Sequence, residues 1–125
     1  MDHSVLVVED DENIVLSLRF LLEKSGFSTR VVGDGNAALG AMRAAKPDVV
    51  LLDVMLPERD GFSVCEEIRG NNAWSDVYVI MLTAKGREAD REKGMAAGAD
   101  EFITKPFSTR DLLTRVKAAV GVAAE

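Results

Sequence analysis

The chain has 125 residues, with 15 Lys and Arg against 21 Asp and Glu, for a formal net charge of -6. That length suits one domain with a real core, and 47% apolar with 29% charged residues is a globular rather than a disordered balance. The acidic excess argues against nucleic-acid binding, the single cysteine excludes an internal disulfide, and no apolar stretch approaches the roughly 20 residues of a membrane span.

Met1-Asp2-His3 leads straight into an apolar run with no signal-peptide pattern, so a cytoplasmic location is expected. The run, Val5-Leu6-Val7-Val8, has the length and composition of a strand buried on both faces. Residues 11–25 place Ile14, Leu18, Leu21 and Leu22 at helical spacing, and Gly26 ends the helix. Residues 28–32 read as a second strand, diluted by Thr29 and Arg30 as suits an edge. A helix over 35–45 aligns Ala38, Ala41, Met42 and Ala45, and Pro47 forbids its continuation.

Residues 48–53 form the third strand, which ends on Asp53. A short helix over 61–69 carries Cys65 as a small buried hydrophobe, and an Asn71-Asn72 turn precedes Trp74, which is expected to cover one end of the core. The fourth strand spans 77–83. The polar helix after it, 87–97, contains Gly94, which costs about 1 kcal/mol against Ala and makes this helix the least stable expected. Residues 101–104 are the fifth strand. The last helix opens on Ser108 with Asp111 three residues on, a capping-box pattern, and turns Leu112, Leu113, Val116 and Val120 inward. Residues 122–125 read as a fraying tail or the start of a linker.

Five strands alternating with five helices predict an α/β fold: a five-stranded parallel sheet with helices on both faces. In such open sheets, ligands bind beyond the carboxyl ends of the strands. Glu9, Asp10, Asp53, Thr83 and Lys105 all stand there, so residues scattered along the chain become neighbours in one pocket. The carboxylates make an oxygen-rich site suited to a partly hydrated Mg²⁺. Lys105 adds a positive charge and Thr83 a hydroxyl donor, a set suited to phosphoryl transfer onto a carboxylate, with Asp53 on the central strand as the acceptor. Asp11, by contrast, is open to a plain helix-capping reading.

Four motifs carry a resemblance: Val7-Val8-Glu9-Asp10-Asp11; Asp48 to Asp53 with Met55-Leu56-Pro57 and Asp60-Gly61; Met81-Leu82-Thr83-Ala84; and Gly98 through Lys105-Pro106-Phe107. Jointly and in this order they resemble the receiver domain of two-component response regulators across about the whole chain. The resemblance implies a flavodoxin-like, chemotaxis-receiver-like (βα)5 domain over residues 1–121 with strand order 2-1-3-4-5. It implies that Asp53 takes a phosphoryl group from a sensor histidine kinase or a histidine phosphotransfer protein. Mg²⁺ would be held by Asp10, Asp53, the Met55 backbone carbonyl and, through water, Glu9. Lys105 and Thr83 would contact the phosphoryl group near the Ala84 N–H, and the Lys105–Pro106 bond would be cis. Phe102, otherwise a plain core aromatic, takes the place of the aromatic that turns inward when the threonine moves.

The resemblance also implies a switch rather than an enzyme, with at most slow self-dephosphorylation. Met55 and Lys85 flank the path of the hydrolytic water, and neither has a group that holds a water in line, so slower reset than in chemotaxis-type receivers is expected. An aspartate-nucleophile phosphohydrolase of the haloacid dehalogenase type would need a second Asp where Met55 stands. A flavin-binding flavodoxin would not place Glu9-Asp10-Asp11 against a phosphate. A non-phosphorylated pseudo-receiver would lack one of Asp53, Thr83 or Lys105. Arg91, Asp100, Glu101, Asp111 and Arg115 resemble the charged face through which related receivers pair, so a phosphorylation-dependent homodimer or an output domain is an expected partner. A merely solvated face carries similar charges.

Overall fold

The structure is a computed structural model that describes residues 3–84 and 89–121. Five parallel strands, β1 (Ser4–Val8), β2 (Ser28–Val32), β3 (Val49–Asp53), β4 (Tyr78–Ala84) and β5 (Glu101–Lys105), form one sheet in the order β2-β1-β3-β4-β5. Between them run α1 (Glu12–Lys24), α2 (Gly35–Ala44), α3 (Gly61–Arg69) and α4 (Ala89–Ala97), and α5 (Thr109–Ala119) closes the chain. The order reverses direction between β1 and β3, which opens a crevice at their carboxyl ends.

Strand alternation sorts the core into two layers. Val5, Val7, Val49, Leu51, Ile80, Leu82 and Ile103 face Leu18 and Leu22 of α1 and Leu112 and Val116 of α5. Leu6, Val8, Val50, Leu52, Val79, Met81 and Phe102 face α2, α3 and α4. The central strands are buried on both sides, hence their unbroken Val, Leu and Ile runs.

The expected boundaries shift by a residue or two, as backbone pairing rather than composition sets them. Asp48 lies before β3, where its side chain accepts from the Ser4 N–H, and β4 runs one residue further, to Ala84. Asn71 caps a single 3-10 turn, Asn72–Trp74, through its side chain. Leu21, Leu113 and Val120 are only partly buried, because α1 and α5 each press a narrow stripe on the sheet. The helix starts follow side-chain caps: Asp11 accepts from the Asn13 and Ile14 N–H groups, Asp34 from Ala37, Asp60 from Ser63, and Ser108 from Asp111. The expected start of the fourth helix at Arg87, the tail at 122–125 and Lys85 lie outside the described residues. Among the described residues no helix is long and apolar enough to cross a membrane.

Candidate phosphoacceptor site

The carboxyl edge of the sheet collects its acids by register. Val8 pairs with Leu52 and Asp53 with Leu82, so Glu9 leaves β1 beside the end of β3 where Asp53 stands. One carboxylate oxygen from each of Glu9, Asp10 and Asp53 lies within 4.8 Å of the others. Lys105, at the end of β5, reaches across β4 and sets its Nζ 2.7 Å from Glu9 and 3.4 Å from Asp53. The Lys105–Pro106 bond is cis. Three carboxylates against one ammonium leave an excess of negative charge, which a divalent cation offsets; the donor set fits Mg²⁺.

Burial grades these acids. Glu9 is 2% exposed and Asp53 5%, whereas Asp10 faces solvent. Glu9 also accepts from the Asp11 N–H at 3.1 Å. Burial pushes the Glu9 carboxyl above its ordinary value, with Lys105 and that N–H drawing it part of the way back. Desolvation pulls the Lys105 ammonium down, but the hydrogen bond to Glu9 and the Asp53 charge more than offset it, so it stays above its usual value.

The chain turns sharply after Asp53. The Met55 N–H donates to the Asp53 carboxylate at 3.3 Å, the Val54 N–H to the Leu82 carbonyl, and the Gly61 N–H to the Val54 carbonyl. A Cβ on Gly61 would overlap the Asp53 carbonyl oxygen and lie 2.9 Å from the Val54 Cα, so only glycine lets α3 start this close to Asp53. The Met55 side chain, 60% exposed, stands in solvent beside the site.

Thr83 is the one pocket member whose hydroxyl is engaged elsewhere. It sits one residue beyond the Asp53 partner on β4, and its Oγ1 donates to Asp90 Oδ2 at 3.2 Å. Both residues are buried, Asp90 in the first turn of α4. Nothing in the spacing of Thr83 and Asp90 marked them as a pair.

Phe102 is buried against α4, and this changes the meaning of Gly94. A Cβ there would overlap the Phe102 ring atoms Cζ and Cε1 and lie 3.1 Å from the Met81 sulfur. Gly94 is thus the seat of the aromatic ring as well as a weak helix residue. Gly94→Ala is expected to lower stability by about 1–3 kcal/mol despite its better helix propensity, because overpacking forces the ring to move. With Phe102→Ala already present, the same change should become neutral or stabilising. Denaturant melts of the four proteins in this cycle read the reversal.

The charged residues expected on the output face are mostly engaged within the chain. Arg115 pairs with Glu101 at 2.7 Å and Asp111 at 3.2 Å, and Glu101 also accepts from the Tyr78 hydroxyl at 2.8 Å. Asp100 is held by the Arg69 guanidinium and by the Val79 N–H, while Arg69 also donates to the Gly98 and Val77 carbonyls at 2.7 Å each. Arg91, Asp100, Glu101, Asp111 and Arg115 line one pocket together with Met95 and Phe102. Cys65 is buried, as its helix position suggests, and Trp74 packs in the α2–α3 layer. His3 is half-buried, 3.7 Å from Asp48.

Residues 5–117 match the family model of the response regulator receiver domain. The sensory transduction protein RegX3 of Mycolicibacterium smegmatis is 47% identical over 117 residues, which is 94% of this chain and 50% of that protein. The chain therefore spans about half the length of the curated relatives it matches. Among solved structures, it is similar to the receiver domain of the sensor histidine kinase PA1611 from Pseudomonas aeruginosa PAO1, solved with a magnesium ion coordinated in the active site cleft. The TM-score is 0.88 at 30% identity, covering 97% of this chain and 99% of that one. The chemotaxis response regulator CheY4 of Vibrio cholerae gives a TM-score of 0.89 at 27% identity, covering 95% and 99%. Since the family match runs from the first strand into the last helix, the chain belongs to the receiver domains of two-component response regulators, phosphoryl-accepting switches in signalling.

Proposed function

We propose that Asp53 is the phosphoacceptor and that the phosphoryl group comes from a phosphohistidine on a sensor histidine kinase or a histidine phosphotransfer protein. A carboxylate oxygen of Asp53 attacks phosphorus, the P–N bond to the imidazole breaks as the P–O bond forms, and the leaving nitrogen keeps the electron pair. The observation that carries this reading is the buried Asp53 carboxylate between the Lys105 ammonium at 3.4 Å and the Met55 N–H at 3.3 Å, with Glu9 and Asp10 beside it. When bound by Asp10, Asp53, the Met55 carbonyl and, through water, Glu9, Mg²⁺ would neutralise charge on the transferring oxygens. Lys105 holds the phosphoryl group by an ion pair from β5. Thr83 supplies a hydroxyl to the same oxygens, and Phe102 follows it.

The readout would be the surface of α4, β5 and α5, toward an output domain, an effector or a second copy of the chain. Pairing of copies would use Arg91 with Asp111 and Arg115 with Glu101 or Asp100, so Arg115 would exchange its partners within the chain for equivalent ones across the interface. Such exposed pairs contribute specificity more than affinity.

Labelling with a small phosphodonor in Mg²⁺, followed by mass spectrometry, tests the acceptor directly: the expected product is one acid-stable, hydroxylamine-labile phosphoryl group on Asp53. Asp10→Ala should weaken Mg²⁺ binding about tenfold or more in calorimetric titration, since it removes a charged oxygen ligand from a site with few. Unchanged affinity would place the metal elsewhere.

A further inference from the structure

The Thr83 hydroxyl has one hydrogen to donate, and in this structure it goes to Asp90. An acid in the first turn of a helix is commonly an exposed partner of the helix dipole. Asp90 instead is buried, with one carboxylate oxygen on the threonine that must serve the phosphoryl group. The hydroxyl cannot donate to both. Four residues on, and so on the same face of α4, Gly94 seats Phe102. One helix therefore touches both residues that would change on activation.

We propose that Asp90 is a positioning residue that holds Thr83 in the resting arrangement, so that phosphorylation must draw the hydroxyl away from a charged acceptor. The inference rests on the reading of Asp53 as the phosphoacceptor and deepens it. Two anionic acceptors, the Asp90 carboxylate and the phosphoryl oxygens, compete for one donor; losing the first shifts the balance toward the second. Because a hydrogen bond to a charged acceptor is among the stronger ones, its loss should shift the activation equilibrium by about tenfold. The release of Thr83 would also remove one tie on the first turn of α4, one turn before the helix position that supports Phe102.

Beryllium trifluoride with Mg²⁺, a tetrahedral analogue of the phosphoryl group on a carboxylate, is the probe. Its apparent affinity is measured by fluorine NMR in the wild type, Asp90→Ala, Thr83→Val and the double variant. Asp90→Ala should bind about tenfold tighter than the wild type, and Asp90→Asn, which keeps the shape with a weaker acceptor, should shift in the same direction by less. In the Thr83→Val background Asp90→Ala should change nothing, because the hydroxyl through which it acts is gone. Equal or weaker binding by Asp90→Ala and Asp90→Asn overturns the proposal. So does an effect that persists with Thr83→Val, since it would then be a general charge or folding effect. A wild type that fails to bind the probe at all would instead defeat the phosphoacceptor reading, so the two failures are distinct.

Discussion

Asp53→Asn is expected to reduce phosphodonor labelling by about a hundredfold or more while the protein still folds, because a neutral amide is not a competent acceptor for the phosphoryl group. The substitution is nearly isosteric and keeps an oxygen within reach of the Met55 N–H, now 3.3 Å from the carboxylate. It gives up an attraction to Lys105 at 3.4 Å and relieves repulsion from Glu9 and Asp10. These opposing terms should leave stability within about 1 kcal/mol of the wild type. Thermal melts would check the fold and mass spectrometry the label. A hydroxylamine-labile label on the variant at normal yield would show that the acceptor is another residue.

Lys105→Met should have the second large effect, on stability and its pH dependence. The buried Glu9 carboxylate would lose the ammonium 2.7 Å away, leaving three acids with no ammonium paired to them among the described residues. Breaking a fully buried ion pair costs about 3–5 kcal/mol; with the lysine side chain 22% exposed, roughly 1–3 kcal/mol is expected near neutral pH. The sign with pH follows from Glu9, whose carboxyl already sits above its ordinary value because of burial. Without Lys105 it should rise further. A carboxyl raised in the folded state contributes stability below its unfolded value, and that contribution is lost as pH rises through the folded value. The variant should therefore recover part of its deficit between about pH 7.5 and about pH 5, and Mg²⁺ should restore part of it at neutral pH. Denaturant melts at the two pH values measure this. A deficit that grows on acidification would mean that Glu9 is not the group left unpaired.

Much of the site was legible because a doubly wound sheet makes a simple demand on sequence. Strands covered on both faces must be apolar throughout, so the residue where each run stops stands at the sheet edge. Glu9, Asp53, Thr83 and Lys105 were readable in that way, and Asp11 and Ser108 were readable as helix caps by local logic, whereas the structure added the Asp34 and Asp60 caps. Gly94 was legible only in part: its helix cost is a local property, but the Phe102 ring it accommodates comes from the next strand. Asp100 stands at the surface, as expected of a charged face, but its partners within the chain, the Arg69 guanidinium and the Val79 N–H, were not legible.

The sequence by itself determined the number and type of elements, the two-layer core and the acids at the carboxyl edge, since each depends on periodicity or on residues adjacent along the chain. Only the tertiary structure decided the partners across elements: Lys105 with Glu9, Arg69 with Asp100, and Thr83 with Asp90. Periodicity specifies which face of a strand or helix is turned inward. It does not specify how far a docked helix slides or turns over the sheet, and displacements of an ångström or two decide which acceptor a buried hydroxyl meets.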